Sequence, residues 1–180
     1  MSDYNFLLMY DRLPELVNPL RLADRGAELQ GRIDPVSLER LGTMLAGPGG
    51  SIELTLRFGR ESKGPAIVAG ELAAQVELLC QRCMKPFLYS HSFEFRLGVV
   101  EDEEQAERLP EGLEPLVVID EQLRIADLVE DELILGLPLI AMHEATDCNE
   151  ELGRWQIEGE SSKENPFSVL EGLKDKLDRH

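Results

Sequence analysis

The sequence predicts an α+β fold: a mostly antiparallel sheet, open or closing towards a barrel, with a long β-hairpin and two main helices. Apolar and polar residues alternate over residues 52–58, 68–80 and 87–99. A period of two places one side of each strand on a core and the other side in water, as in antiparallel sheets. Two further stretches, beginning near residues 34 and 127, have apolar residues at helical spacing.

The first third of the chain predicts a short helix, a strand and then the first main helix. Asn18-Pro19 opens a helical piece that runs to Ala23, and residues 25–33 alternate as a first strand. Asp34 followed by proline is a favourable helix start, with aspartate as N-cap and proline in the first turn. Apolar residues then recur at helical spacing until the Gly-Pro-Gly-Gly turn at residues 47–50.

The middle third predicts three strands, of which the last two form the hairpin. Residues 52–58 make one strand, and a polar turn at 59–65 leads into the next. The alternation over 68–80 stops at Cys80–Pro86 and resumes from Phe87 to Val99. Two long strands separated by about six residues are typical of a hairpin.

The last third predicts a short acidic helix or loop at 101–108, a strand near 116–119 and the second main helix. That helix begins near Asp127, where Asp127 and Glu130 resemble a capping box, and it ends at Gly136 and Pro138. The pair Glu130 and Asp131 is interpreted as part of a solvated helix face. We expect a single α+β domain over residues 1–150 and an acidic, loosely ordered tail with a short terminal helix over 151–180.

Charge is distributed unevenly along the 180 residues. Residues 1–100 carry 11 Lys and Arg against 12 Asp and Glu, whereas residues 101–180 carry 7 against 23. Phosphate binding by nucleic-acid-binding proteins depends on Lys and Arg, so any RNA contact is expected on the N-terminal half. The acidic half is either a solubilising surface or a face that docks a basic protein partner.

Composition predicts a cytoplasmic protein. No apolar run approaches the ~20 residues that span a bilayer, and the N-terminal residues lack the basic region of a secretory signal. Three cysteines cannot all pair with one another, which favours reduced or metal-bound thiols. We therefore expect no membrane partner.

The motif Cys80-Gln-Arg-Cys83 lies at the tip of the predicted hairpin. Two thiolates at this spacing can bind one zinc ion, and His143 with Cys148 could complete a Cys3His set. The alternative is that Cys80 is a core residue and the other two cysteines are ordinary reduced thiols. A redox role is disfavoured because the thioredoxin-type motif opens a helix in a βαβ unit.

Cations near the hairpin are candidates for contacting RNA or a partner. Arg82 and Lys85 share the tip with aromatic Phe87 and Tyr89, which could stack a base. Further candidates in the near-neutral half are Arg57, Arg60 and Lys63. The alternative is an ordinary polar turn above an aromatic row that faces the core.

Motifs typical of enzymes are absent from the sequence. It has no G-x-S-x-G, no Walker A motif and no G-x-G-x-x-G. No pair of titratable groups is evidently placed in opposed environments, as acid–base catalysis requires. The sequence predicts a protein that binds rather than catalyses and that has no small-molecule substrate.

Three stretches in order resemble the YceD family, the large ribosomal RNA subunit accumulation proteins. They are Glu77–Phe87 with its C-x-x-C, Leu128–Pro138 continuing to His143 and Cys148, and Asn165–Lys174. The segment 105–115 is also similar, so the resemblance extends over roughly residues 20–177. Some members carry a second C-x-x-C where this chain has His143 and Cys148.

The resemblance implies a bacterial cytoplasmic protein needed for the synthesis, processing or stability of large-subunit (23S) ribosomal RNA. Its expected partners are an rRNA precursor, an rRNA-processing protein or a ribosomal protein. The family brings no established catalytic residues. Two alternatives stay open: a small metal-dependent hydrolase that uses the Cys/His cluster, and a purely structural partner protein.

Overall fold

The computed structural model describes residues 7–9, 13–60, 64–145 and 148–149, with side chains from residue 13 onwards. The chain divides into two compact units, residues 1–143 and 144–180. Every helix and strand that the structure describes lies in the first unit. The predicted tail over 151–180 lies outside the described residues, so its looseness and terminal helix stay predictions.

The elements follow one another in the α+β order that the sequence predicts. Four helices are described: α1 Pro19–Asp24, α2 Glu39–Met44, α3 Glu103–Ala106 and α4 Ile125–Gly136. The strands are β1 Leu7–Met9, β2 Leu16–Val17, β3 Glu28–Ile33, β4 Gly50–Arg60, β5 Ala66–Leu79, β6 Pro86–Val100, β7 Glu114–Val117 and β8 Leu123–Arg124. Single 3-10 turns lie at Pro35–Ser37 and Ile119–Glu121.

Six strands form one mixed sheet in the order β1-β3-β4-β5-β6-β7. The three central pairings are antiparallel, while the end strands β1 and β7 run parallel to β3 and β6. Within the described residues the sheet is open and ends at β1 and β7, so it is not a barrel. Strands β2 and β8 form a separate antiparallel pair.

The predicted alternation decides which face of the sheet is buried. On β4 the buried side chains are Ile52, Leu54, Leu56 and Phe58, and the register pairs Phe58 with Val68 on β5. Helix α4 contributes apolar side chains to the same core, including Ile125, Leu128, Val129 and Leu133. This burial on one face is what an antiparallel sheet with one solvated side requires.

The hairpin of β5 and β6 is confirmed, and one glycine lets its strands pack closely. Gly70 pairs with Phe95, whose ring lies against Gly70; a Cβ built there would come within 2.0 Å of the ring. The absence of a side chain at residue 70 therefore makes room for the buried aromatic ring.

The first main helix departs from its prediction. Asp34 does cap Val36, with its carboxylate 3.1 Å from the Val36 N–H, but it opens only a 3-10 turn. Leu38 then adopts an extended conformation and is buried in the core, and α2 begins after it. The predicted helix is thus interrupted because burial of Leu38 outweighs helical continuity.

The start of α4 also differs from the sequence interpretation. The helix begins at Ile125 with Arg124 in the N-cap position and no side-chain cap. Asp127 therefore lies inside the first turn, so the capping box predicted with Glu130 is wrong.

No helix in the described part of the chain has the length and apolar character that crossing a membrane requires.

Candidate metal centre and the surfaces beside it

The C-x-x-C motif forms a closed turn between β5 and β6. The Cys80 N–H donates to the Lys85 carbonyl at 3.0 Å, and the Met84 N–H donates to the Cys80 carbonyl at 2.8 Å. Met84 adopts a left-handed conformation with φ of 57°, which reverses the chain direction directly after Cys83. This local geometry holds both thiols of the motif on one tight turn.

The segment that follows α4 reaches the hairpin tip and brings His143 to it. The Gln81 N–H donates to the Ala141 carbonyl at 2.8 Å, and the Arg82 guanidinium lies 3.5 Å from the Met142 sulfur. His143 then places Nδ1 3.5 Å from Cys83 Sγ. Residues separated by 60 positions in sequence therefore meet at one point.

The four residues proposed from sequence as metal ligands form one group. Ligand atoms of Cys80, Cys83, His143 and Cys148 all lie within 4.8 Å of one another. Zinc bonds of about 2.3 Å to sulfur and about 2.05 Å to nitrogen, at tetrahedral angles, give an S···N separation of about 3.6 Å. The Cys83–His143 distance of 3.5 Å matches this value. The donor types and the Cys83–His143 separation therefore fit a tetrahedral metal ion.

The Cys80 thiol is surrounded by hydrogen-bond donors. Burial raises its pKa, but backbone N–H groups of His143, Cys83 and Arg82, with the His143 side chain, outweigh burial and lower the pKa to about 5. Cys80 is buried and the other three ligands are half-buried. A thiolate with these donors is the form of cysteine that binds zinc.

An aromatic row runs along β6 beside the metal centre. Phe87 lies against His143 with ring centroids 4.8 Å apart. Further along the row, the ring centroids of Tyr89 and His91 are 6.0 Å apart, and those of His91 and Phe93 are 5.2 Å apart. His91 belongs to this row, as the alternation predicts. These four rings on β6 are half-buried, and they line one side of the hairpin below its tip.

The cations predicted to contact RNA or a partner occupy different environments. Arg57 pairs with Glu71 and, at 3.6 Å, with Glu28, while Arg60 pairs with Asp24 at 3.1 Å. Lys63 lies outside the described residues. Arg82 and Lys85 share the hairpin tip beside the metal group, as the sequence predicts. Both cations therefore lie on the turn that precedes β6, whereas Phe87 and Tyr89 pack against the buried residues Val76, Leu78 and Ala141.

The interpretation of Glu130 as a solvated residue is wrong. Its side chain is only 6% exposed, and it accepts hydrogen bonds from the backbone N–H groups of Arg40 and Leu41 and from the Arg40 guanidinium. Asp131 is exposed and pairs with Arg40 at 2.7 Å. A signal was present in the sequence, since Glu130 lies next to the apolar stripe of its helix beside Val129 and Leu133.

A cavity lies on the outer face of the sheet. It has a volume of about 830 Å³, and its lining includes Gln30, Arg32, Glu53, Thr55, Glu71 and Ser92. Its Arg32 pairs with Glu53 at 2.5 Å. Neither cysteine nor histidine lines this cavity, so it is separate from the metal group.

Fold and site together define an α+β protein built on an open, mostly antiparallel sheet, with a Cys3His group at the tip of its longest hairpin. A family model described as large ribosomal RNA subunit accumulation protein YceD matches residues 68–174. The chain is also 33% identical over 171 residues to the protein of that name from Haemophilus influenzae strain Rd, with 92% of this chain and 98% of the relative covered. The chain belongs to the YceD family.

The family resemblance is thereby confirmed. No solved structure matches the chain. The YceD match extends over both parts of the sequence that supply the candidate metal group, since it includes the hairpin tip and the segment from 143 to 148.

Proposed function

We propose that this protein supports the accumulation of large-subunit (23S) ribosomal RNA in the bacterial cytoplasm, and that it acts by binding rather than by catalysis. The observation that carries the proposal is the near full-length similarity to a relative named for accumulation of the large ribosomal RNA subunit. Partners of this activity would be an rRNA precursor, an rRNA-processing protein or a ribosomal protein.

The Cys/His group supports a structural role for a metal. Three thiols and one imidazole would supply all four positions of a tetrahedral zinc ion, which would leave no open position for water or substrate. A bound zinc ion would join the hairpin tip at Cys80 and Cys83 to the segment at His143 and Cys148. In this proposal the metal fixes the shape of a binding surface.

The second candidate function, a small metal-dependent hydrolase, has less support. Catalytic zinc sites normally use three protein ligands and keep one position for water, whereas four protein ligands are available here. Cys80 is fully buried, whereas the other three residues are half-buried, so it is the number of ligands that disfavours hydrolysis. A closed site therefore favours binding.

The test is a depletion experiment in a bacterium that depends on its own copy of this chain. We expect 23S rRNA to fall relative to 16S rRNA on depletion and to recover when the chain is supplied. A pull-down of the tagged chain, with and without ribonuclease, then separates the modes of action. If large-subunit precursors or their processing proteins are recovered only without ribonuclease, direct RNA contact is indicated. If processing or ribosomal proteins are still recovered after ribonuclease, a protein partner is indicated. Unchanged 23S rRNA on depletion would overturn the proposal.

A further inference from the structure

A groove lies between β7 and α4, at the end of the sheet away from β1. It has a volume of about 360 Å³ and is lined by Leu97, Glu114, Pro115, Leu116, Leu128, Asp131, Glu132, Ile134 and Leu135. Strand β7 is the last strand of the sheet, so the groove opens at a sheet edge.

The floor of the groove is apolar and continues to the protein surface. Leu97 and Leu128 are buried, and Leu116 and Ile134 are half-buried beside them. Leu135, on the same helix, is 77% exposed. An exposed aliphatic side chain that adjoins an apolar floor is typical of a surface that buries a partner side chain.

The rim of the groove is acidic. Asp131 pairs with Arg40, whereas Glu114 and Glu132 have no side-chain hydrogen bond or ion pair within the described residues. Burial raises the pKa of Glu132, and the neighbouring Glu114 and Asp131 raise it further. The rim thus carries negative charge that the described residues leave uncompensated.

The wider surroundings have the same sign. Residues 101–143 contain thirteen Asp and Glu but only two Lys and Arg. A phosphate backbone is repelled by such a surface, as is a second copy of this acidic chain. Long basic side chains are attracted instead, and their aliphatic stems can lie on an apolar floor while their charges reach the rim.

We propose that the groove between β7 and α4 binds a short segment of a partner protein in which Lys or Arg alternates with aliphatic residues. This inference rests on the proposed function and assigns its partner to the class of basic proteins. Glu114 and Glu132 bind the cations, and Leu135 packs against the aliphatic side chains.

The test measures binding of a fluorescein-labelled peptide of Lys, Leu and Ala to the purified full chain by fluorescence anisotropy. We expect the double variant Glu114→Gln/Glu132→Gln to bind about tenfold more weakly, since two charge contacts are lost. Leu135→Ser should weaken binding about threefold or more, and a peptide with Ser in place of Leu should show the same loss. The matched control Glu103→Gln/Glu107→Gln removes two exposed charges outside the groove and should change affinity less than about twofold.

Two outcomes would overturn the proposal. Equal weakening by the control pair would mean diffuse attraction to an acidic surface. Binding of a labelled oligouridine RNA that is weakened by Leu135→Ser would assign the groove to RNA. Failure of the groove can be told apart from failure of the proposed function, because peptide binding is measured on the isolated chain. If the groove variants weaken peptide binding no more than the control pair does, while the supplied chain still restores 23S rRNA on depletion, the groove assignment is overturned and the proposed function stands.

Discussion

The carboxylate of Glu130 lies 2.9 Å from the backbone nitrogen of Leu41 and 2.6 Å from that of Arg40. These are N–H groups at the start of α2, and Leu38 provides that helix with no side-chain cap. A side chain from α4 therefore caps α2, and the partners are about 90 residues apart in sequence. The contact joins two helices that cover the same core.

Glu130→Ala should lower the free energy of unfolding by about 3 kcal/mol, because two N–H groups and a guanidinium lose a charged acceptor in a nearly buried position. Urea denaturation monitored by circular dichroism measures the change. Asp131→Ala is the matched control, since Asp131 contacts the same arginine from the surface, and its effect should stay below about 1 kcal/mol. Equal effects of the two variants would contradict the buried cap.

Glu130 and Glu132 should affect the pH dependence of stability with opposite signs. Burial raises the pKa of Glu130, but hydrogen bonds from Leu41 and Arg40 outweigh it and leave the pKa lowered. Its stabilisation is therefore present at pH 7 and is lost as pH falls below the ordinary glutamate pKa of about 4.3. The pKa of Glu132 is raised, so its ionisation in the unfolded chain opposes folding at pH 7.

Glu130→Gln should therefore destabilise the protein at pH 7, and Glu132→Gln should stabilise it. The Glu130→Gln difference should shrink as pH falls below about 4.3 towards the lowered pKa of Glu130. The Glu132→Gln difference should shrink at higher pH, as pH falls from the raised pKa of Glu132 to about 4.3. Urea denaturation over this pH range measures both. A destabilising effect of Glu132→Gln at pH 7 would show that its carboxylate has a favourable partner in the folded protein.

We expect protein purified without chelator to contain about one equivalent of zinc, bound by the Cys/His group. His143→Gln and Cys83→Ser should each lower the bound zinc and the melting temperature, because each removes one of four ligands. His91→Gln is the matched control: its ring lies in the aromatic row, 5.2 Å from Phe93, and zinc content should be unchanged. Elemental analysis and cobalt substitution, with its visible absorption bands, provide the readout.

Less than about a tenth of an equivalent of zinc in the original chain, with all three thiols free to titrate, would remove the metal from the proposal. The cysteines would then be ordinary reduced thiols. Circular dichroism of each variant ensures that loss of metal is not confused with loss of the fold.

We expect the two cations at the hairpin tip, Arg82 and Lys85, to make a charge-dependent contact with RNA or with an acidic partner. Arg82→Glu/Lys85→Glu should lower retention of 23S precursors in the pull-down about tenfold, because both cations lie on the turn between β5 and β6, and reversing their charge would repel phosphate. Arg57→Glu/Arg60→Glu is a comparison of equal charge change at residues that are already paired with carboxylates. Undiminished retention by the tip variant would exclude Arg82 and Lys85 from RNA contact.

Local patterns were sufficient where the fold depends on local chemistry. The alternation of Ile52, Leu54, Leu56 and Phe58 predicts a strand because a period of two needs no knowledge of the partner strand. The four candidate metal ligands were also found from sequence, since cysteine and histidine are few and their chemistry is specific. Their mutual distance was not predictable from the irregular spacing of His143 and Cys148.

Long-range contacts decided what local patterns missed. Glu130 resembles any helical carboxylate until Arg40 and Leu41 are placed opposite it. Leu38 interrupts a helix that its neighbours favour, because the core lies beneath it. The groove beside β7 also exists only once β7 has paired with β6 in parallel, a pairing that alternation does not indicate.

The sequence by itself determined the α+β class, the long hairpin, the acidic second half and the identity of the candidate ligands, since each follows from residue type and short-range period. The tertiary structure decided that the sheet is open, that Glu130 is a buried cap and that the Cys/His atoms meet. The physical reason is that burial, charge pairing and metal-ligand distance depend on residues far apart in the chain, which only folding brings together.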